Sequence, residues 1–324
     1  MKNPFVVGER EIIVRKYATT DSSYGTYPEK RSTEELLKGG CVNIDKPKGP
    51  TSHQVSDYVQ RILGLTKAGH SGTLDPGVTG CLPVAYGKST RVIQFLLKAG
   101  KEYVCVVHFH KPLSEGIMRE AIEGYKGTIS QLPPVKSAVK RRLRERNIYS
   151  VEILDMEKQD VLVKIQCQAG TYIRKWVHDL GELVGVGAHM AELRRTRSGP
   201  FDESTLVYLQ DLADAMHFYK EGDEKPLREI LQPVENAVTH LPKVWVFDSC
   251  VDSLCHGATL SVPGISKLNE FDKDQHVAVM TLKNELIGAG TARMVSSKMM
   301  GDSGVAVKLD KVLMEPGTYP RVKQ

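Results

Sequence analysis

The chain has 324 residues, 41% of them hydrophobic and a formal charge of +5. That length allows two domains, and the mild basicity leaves any nucleic-acid partner to be argued from local clusters. No apolar run approaches the ~18 residues of a membrane span, the first 16 residues are charged without an apolar signal core, and the six cysteines form no CxxC pair. These features predict a soluble, reduced, intracellular protein.

Residues 1–35 are polar, rich in Tyr, Thr, Ser and Glu, and read as an extended arm. A short strand follows at 41–45, then the turn Lys46-Pro47-Lys48-Gly49-Pro50. Thr51 and Gln54 have capping-box spacing. Val55, Val59 and Ile62 make one helical stripe, which Gly64 stops. A second helix is predicted over 90–98, closed by Gly100. Residues 101–110 alternate in period two, with Tyr103, Cys105, Val107 and Phe109 on one face. Residues 161–168 form a further strand, leading through Ala169-Gly170-Thr171 into a helix with Ile173, Val177, Leu180 and Val184 inward. Mixed elements without strict βαβ repetition predict an α+β core on a mixed, largely antiparallel sheet. After Leu241-Pro242, apolar runs at 244–247, 277–282, 286–290 and 305–309 recur between Gly, Pro, Asn and Asp. They predict a small β-barrel-like domain. The acidic stretch 221–224 reads as a surface loop between the domains.

The stretch Gly69-His70-Ser71-Gly72-Thr73-Leu74-Asp75-Pro76-Gly77-Val78-Thr79-Gly80 carries one carboxylate among glycines. Gly72, Gly77 and Gly80 permit positive φ or close approach. Pro76 holds Asp75 extended. Such a loop either presents Asp75 to a substrate or folds it into an Asx-turn. Gly170-Thr171-Tyr172-Ile173-Arg174 stands where a strand hands over to a helix, with Thr171 as N-cap. An Arg in a first helical turn opposes the helix dipole, and an anion there would compensate. Asp75 is a candidate; a solvated surface arginine is the other reading.

Between 136 and 146, Lys136, Lys140, Arg141, Arg142, Arg144 and Arg146 are opposed only by Glu145. That excess favours phosphate contact over a solvated helix face. Arg194, Arg195 and Arg197 form a second cluster. No amphipathic apolar face accompanies either, which favours RNA over membrane. His108 and His110 share a strand face at a spacing zinc sites use, but no third ligand is near in sequence. Ordinary polar histidines fit better than a metal hydrolase, and no metal is expected.

These motifs resemble a family. Residues 45–52 (DKPKGPTS) are similar to the first motif of the TruB-type RNA pseudouridine synthases, and residues 69–76 (GHSGTLDP) to their catalytic motif. Lys101-Glu102-Tyr103 resembles the motif with the base-stacking tyrosine. Residues 170–174, and 187–190 with Leu193-Arg194-Arg195, resemble the rest of the pocket. More narrowly, 27–31, 136–146, 191–199, 243–248, 256–258 and 262–265 are similar to dyskerin-type enzymes, the catalytic subunits of H/ACA guide-RNA particles.

The resemblance implies cofactor-free isomerisation of uridine in rRNA or tRNA. Asp75 would be catalytic, with Tyr103, Tyr172, Arg174, Leu193 and His70 around it, and Lys46 and Pro47 bracing the loop. It further implies an arm over 1–35 packing with the last domain, a catalytic domain over 36–241, and a PUA RNA-binding domain over 242–324. Implied partners are H/ACA guide RNA, substrate RNA, a small zinc-ribbon subunit, a Gly/Arg-associated barrel subunit and a kink-turn-binding ribosomal-like protein. Residues 136–146 would be a thumb clasping RNA, joined in RNA contact by Arg194 and Arg195. The lack of a Lys/Glu-rich tail after Gln324 implies an archaeal, cytoplasmic form, nucleolar if eukaryotic. A stand-alone tRNA enzyme with the same pocket is the alternative, and an inactive RNA-binding scaffold the reading from another class.

Overall fold

The computed structural model describes residues 10–133 and 142–321. Within them two sheets carry the fold. The larger, eleven-stranded sheet runs along its main path in the order Leu206–Val207, Gly40–Lys46, Thr79–Tyr86, Ala188–Ser198, Lys101–Phe109, Asp160–Cys167, Arg144–Glu157, Gly127–Gln131. Only the 206–207/40–46 and 79–86/188–198 pairings are parallel, so the sheet is mixed and mostly antiparallel.

The 101–109 strand shows why. Its side chains alternate strictly between buried and half-buried, so Tyr103, Cys105, Val107 and Phe109 share a core with Ile173, Trp176, Val177 and Leu180. That helix, Ile173–Leu183, lies on the sheet, and Trp176 anchors it by donating its Nε1–H to the Tyr125 carbonyl at 3.0 Å. The helix Ser52–Ile62 has both halves of the capping box from Thr51 and Gln54. It packs Val55 and Val59 onto Val42, Ile44, Leu82 and Val84 of the adjoining strands.

The helix expected over 90–98 is two pieces, a 3-10 segment Gly87–Val92 and a short α-helix Ile93–Lys98. In 3-10 geometry residues three apart stack, which turns Ser89 and Val92 inward together. The acidic stretch 221–224 does not separate domains. It is the exposed turn between helices Leu209–Lys220 and Lys225–Ile230, with Gly222 at φ +100°.

The second sheet has seven strands, in the order Ile12–Val14, Ile265–Asn269, Lys243–Val246, His276–Met280, Leu286–Ala292, Val305–Val312, Leu260–Ser261. Its core includes Val244, Val246, Val251, Leu254, Leu268, Val277 and Val279. The 265–269 strand, the 12–14 strand and the helix Asp248–Cys255 were not legible as elements. The 12–14 strand pairs antiparallel with 265–269, although the two lie some 250 residues apart in the chain. All six cysteines are free. Among the described residues no helix is long and apolar enough to cross a membrane.

The two sheets share a third core. Phe95, Leu96, Val238 and Leu241 from the first unit pack with Trp245, Met280, Leu286 and Leu313 from the second. At this seam Glu235 accepts two bonds from Arg31, at 2.8 and 2.9 Å, and one from the Leu286 N–H at 2.8 Å. One carboxylate thus ties the segment between the 12–14 and 40–46 strands, the larger-sheet unit and the C-terminal sheet together. Both side chains of the ion pair are largely buried. Replacing Glu235 with Ala strands a buried guanidinium and a buried N–H, at a cost of about 3 kcal/mol. Denaturant unfolding will register that loss, and proteolysis will cut residues 10–31 faster. A variant as stable and as resistant as the parent would show the pair to be incidental.

Candidate active site

Asp75 sits at the head of a turn in which the Val78 N–H donates to the Asp75 carbonyl at 3.0 Å. The backbone on each side is pinned. The Leu74 N–H donates to Ser52 Oγ at 2.7 Å, and Ser52 Oγ donates to the Leu74 carbonyl at 3.1 Å. The Gly49 N–H reaches the Pro76 carbonyl and the Ser71 N–H the Pro83 carbonyl, each at 2.9 Å. Beneath the turn, the fully buried Lys46 ammonium donates to the carbonyls of Pro47, Pro76 and Val78 at 2.8, 3.2 and 2.9 Å. Lys46 therefore braces the loop. Its proton is held less tightly than usual, first because of burial and then because Arg195 is near, with Asp75 opposing.

Of the three glycines, two are required by their geometry. Gly72 is at φ +135° and Gly80 at φ +100°. A Cβ on Gly80 would lie 2.2 Å from the Arg195 carbonyl oxygen, because Gly80 pairs in parallel with Arg195. Gly77 has neither a positive φ nor a crowded Cβ position, so there the expectation does not hold.

The Asp75 carboxylate reaches Arg174 Nη2 at 2.5 Å across 99 residues of chain. Both side chains remain more than half exposed, at 53% and 60%, so the pair is a presented contact and not a buried brace. The helix starts one residue later than expected. Tyr172 occupies the N-cap position, and Thr171 instead closes the preceding turn by donating Oγ1–H to the Gln168 carbonyl at 2.7 Å. Gln131, buried and unforeseen, fixes Tyr172 from the side. Its Oε1 accepts from the Tyr172 N–H at 3.0 Å, and its Nε2 donates to the Tyr172 carbonyl at 3.1 Å.

Tyr103 and Leu193 are buried in one core with Leu74 and Val78, which brings them beside the Asp75 turn. His70 precedes it, its Nδ1 accepting from the Gly72 N–H at 3.3 Å. Burial, then the charges of Arg195 and His53, keep His70 from protonating as readily as a free imidazole. Asp75 thus meets Arg174, Tyr103 and Leu193 pack with its flanking Leu74 and Val78, and His70 precedes it, with Tyr172 opening the helix that carries Arg174.

Two arginines do not fit the RNA contact expected of them. Arg195 is 1% exposed, with Nε donating to the Cys81 carbonyl at 2.7 Å and Nη2 to the Gly72 carbonyl at 3.2 Å. Arg194 grips Asp45 with two bonds, at 3.0 and 2.9 Å, and Glu203 with a third at 2.6 Å. Those two carboxylates neutralise it. The signal was present: strand periodicity puts Arg195 on the same inward face as Leu193. In the other cluster, Lys136, Lys140 and Arg141 lie outside the described residues. Arg142 is exposed, whereas Arg144 and Arg146 belong to the strand Arg144–Glu157, paired with 127–131, so the run is not a single loop.

His108 bonds Asp160 at 2.7 Å, and His110 bonds His189 at 3.1 Å. Among the described residues no group of three or more such side chains is arranged to hold a metal ion.

The Lys46 clasp makes a measurable claim. Lys46→Met fills similar volume but removes the donor from buried carbonyls, worth about 1–3 kcal/mol. Amide hydrogen exchange over residues 74–80 will accelerate, while exchange in the 101–109 strand stays slow. Unchanged exchange over 74–80 would mean the turn holds itself.

Four family models match the chain in order. They are the DKCLD (NUC011) domain over 5–56, the TruB family pseudouridylate synthase N-terminal domain over 60–173, the tRNA pseudouridylate synthase B C-terminal domain over 174–239, and the PUA domain over 242–313. A protein of Methanopyrus kandleri named probable tRNA pseudouridine synthase B is 50% identical, covering 97% of this chain and 94% of its own. Its namesake in Pyrococcus horikoshii is 52% identical over 97% and 96%. Among solved structures, a crystal structure of a Cbf5-Nop10-Gar1 complex contains a chain 48% identical, superposing with a TM-score of 0.95 over 99% of both chains. A structure of an H/ACA RNP bound to a substrate RNA containing 2'-deoxyuridine gives 47% identity and a TM-score of 0.92 over 98% of both. With half its residues identical to these relatives over nearly its full length, and with the matched motifs folded around one presented aspartate, the chain belongs to the TruB family of pseudouridylate synthases.

Proposed function

We propose that this chain isomerises uridine to pseudouridine in RNA as the catalytic subunit of an H/ACA ribonucleoprotein, with a guide RNA choosing the target. The observation that carries this reading is the whole-chain superposition, at a TM-score of 0.95 over 99% of both chains, on a subunit of the Cbf5-Nop10-Gar1 complex. The likeness extends beyond the catalytic sheet to the arm and the C-terminal sheet. We read the sequence as an arm over 1–35, a synthase domain over 36–241 and a PUA domain over 242–324. The last of these would hold the guide. The complexes named for these neighbours support guide RNA, substrate rRNA or tRNA, a zinc-ribbon subunit and a barrel subunit as partners; a kink-turn-binding protein is a further partner of this reading. A cytoplasmic particle suits the archaeal company of its relatives.

In this reading the target uridine is flipped out of its stack. Tyr103 offers the aromatic face on which the base stacks, Leu193 packs against it, and His70 supports the nucleotide. Asp75 acts at the ribose, either as nucleophile at C1′ or as base at the sugar; both require it ionised. Arg174 orients it, and Tyr172 lines the pocket. Uracil is released, turns, and rejoins C1′ through C5. The basic residues Lys136, Lys140, Arg141, Arg142, Arg144 and Arg146 grip phosphate, which supplies affinity and no sequence information.

The names of the curated relatives support a second reading, a stand-alone tRNA enzyme. Guide dependence separates the two. In the assembled particle, exchanging the guide's pairing segment will move the modified uridine with no change in protein. Modification of one fixed uridine whatever guide is supplied would favour the stand-alone enzyme. Asp75→Asn will lower tritium release from C5-labelled uridine by on the order of a thousandfold or more while RNA binding persists. An Asn variant that turns over like the parent would remove Asp75 from the chemistry.

A further inference from the structure

Behind the Asp75 turn lie three cations that no surface charge explains. Lys46, Lys101 and Arg195 are 0%, 4% and 1% exposed, too deep for an RNA phosphate to touch. Their hydrogen bonds go mainly to carbonyls. Lys46 takes those of Pro47, Pro76 and Val78, Lys101 those of Leu96 and Ala99 at 2.9 and 2.8 Å, and Arg195 those of Cys81 and Gly72. Carbonyl dipoles satisfy donors but supply no net charge. Among the described residues none of the three has a carboxylate within ion-pair distance; Asp75, whose charge reaches Lys46, pairs with Arg174, and Asp45 and Glu203 pair with Arg194.

The three converge on the site. Lys101 Cε and Arg195 Nη1 lie 3.7 and 3.8 Å from where a Cβ on Gly72 would stand. Arg195 also lies beside the Tyr103 hydroxyl, and Lys46 holds the Pro76 and Val78 carbonyls just after Asp75. Burying a cation costs several kcal/mol per ion, and the one carboxylate whose charge reaches them, Asp75, is half exposed and paired with Arg174, so positive charge remains uncompensated behind the turn. Burial, then repulsion from Arg195, bring the Lys101 ammonium down to about 7, as expected where positive charge lacks a counter-ion.

We propose that Lys46, Lys101 and Arg195 form a buried electropositive floor that stabilises the uracil anion while it is detached from the ribose. The inference rests on the synthase reading above. The C1′–N1 bond breaks with both electrons leaving on uracil, which spreads negative charge over N1, O2 and O4. The deficiency at C1′ is met by Asp75, as an ester or by loss and return of a C2′ proton. C5 then donates an electron pair to C1′, the C5 proton leaves to a base and N1 takes one up, so the product is neutral and isomeric. Fixed charges aimed at developing charge need no reorganisation as the reaction proceeds. They also act on the base whatever the surrounding RNA sequence.

The test reads base ionisation directly. A guided particle is assembled with Asp75→Asn protein and a target carrying 5-fluorouridine, whose ring ionises nearer neutral pH because fluorine withdraws electrons. Fluorine NMR follows that ionisation against pH. The bound base will ionise at least about one pH unit lower than in the free RNA, a tenfold shift in its proton affinity. Adding Lys101→Met to the same background will return much of that shift. Methionine matches the buried volume, and such replacements of buried charge are commonly tolerated. A base that ionises at the same or a higher pH in the particle overturns the proposal without recourse to any floor variant. So does a Lys101→Met particle that leaves the shift intact. A separate failure is visible on its own: wild-type particle that forms no pseudouridine at an unsubstituted target refutes the synthase reading itself.

Discussion

One buried ammonium sets the position of the reactive carboxylate. Lys46 leaves the end of the 40–46 strand and donates to three carbonyls, two of them in the turn that carries Asp75. A loop of Asp-Pro-Gly-Val is open to many conformations when free. Here a single cation inside the fold collects its carbonyls, and Ser52 fixes its entry by bonding Leu74 in both directions. The capped helix 52–62 and the 79–86 strand then act as rigid walls on either side of the turn.

With the backbone immobilised from below, the Asp75 side chain is free to be presented. Its partner Arg174 comes from the first turn of the 173–183 helix, whose own entry is clamped by Gln131. The two residues meet at the surface at half exposure, where an ion pair contributes little to stability. The investment is therefore in orientation, and the helix packs through Trp176 and its apolar stripe to keep Arg174 in place. The parallel pairing of Gly80 with Arg195 completes the arrangement, since only glycine allows the two strands to approach so closely there. That approach brings a guanidinium beneath Gly72.

The C-terminal sheet is joined to this site with little freedom. A shared apolar core and the Glu235 junction connect the sheets, and the 12–14 strand extends the C-terminal sheet before the chain enters the catalytic one. Anything held by the region after 242 is thereby held at a set distance and angle from Asp75. A guide that selects a uridine by base pairing needs that rigidity, because pairing fixes which nucleotide is chosen only if the pairing segment and the pocket stay in register.

From sequence alone, the local features were legible wherever short-range chemistry dictates them. The period-two strand at 101–109, the Thr51–Gln54 capping box, the helix stop at Gly64 and the glycine-framed Asp75 all follow from residue spacing and backbone sterics. The resemblance to the synthases was legible for the same reason, since motifs are contiguous. Tertiary structure alone decided which partners those residues meet. The same run of arginines gave one buried clamp, Arg195, and one neutralised surface group, Arg194, because strand register and the positions of Asp45 and Glu203 assign each its acceptor. Gln131 could not be connected with Tyr172, nor Arg31 with Glu235, from spacing, since 41 and 204 residues separate them. Long-range contacts of this kind carry no local signature. They form only when burial of the intervening apolar faces brings distant polar groups together and leaves them to satisfy one another.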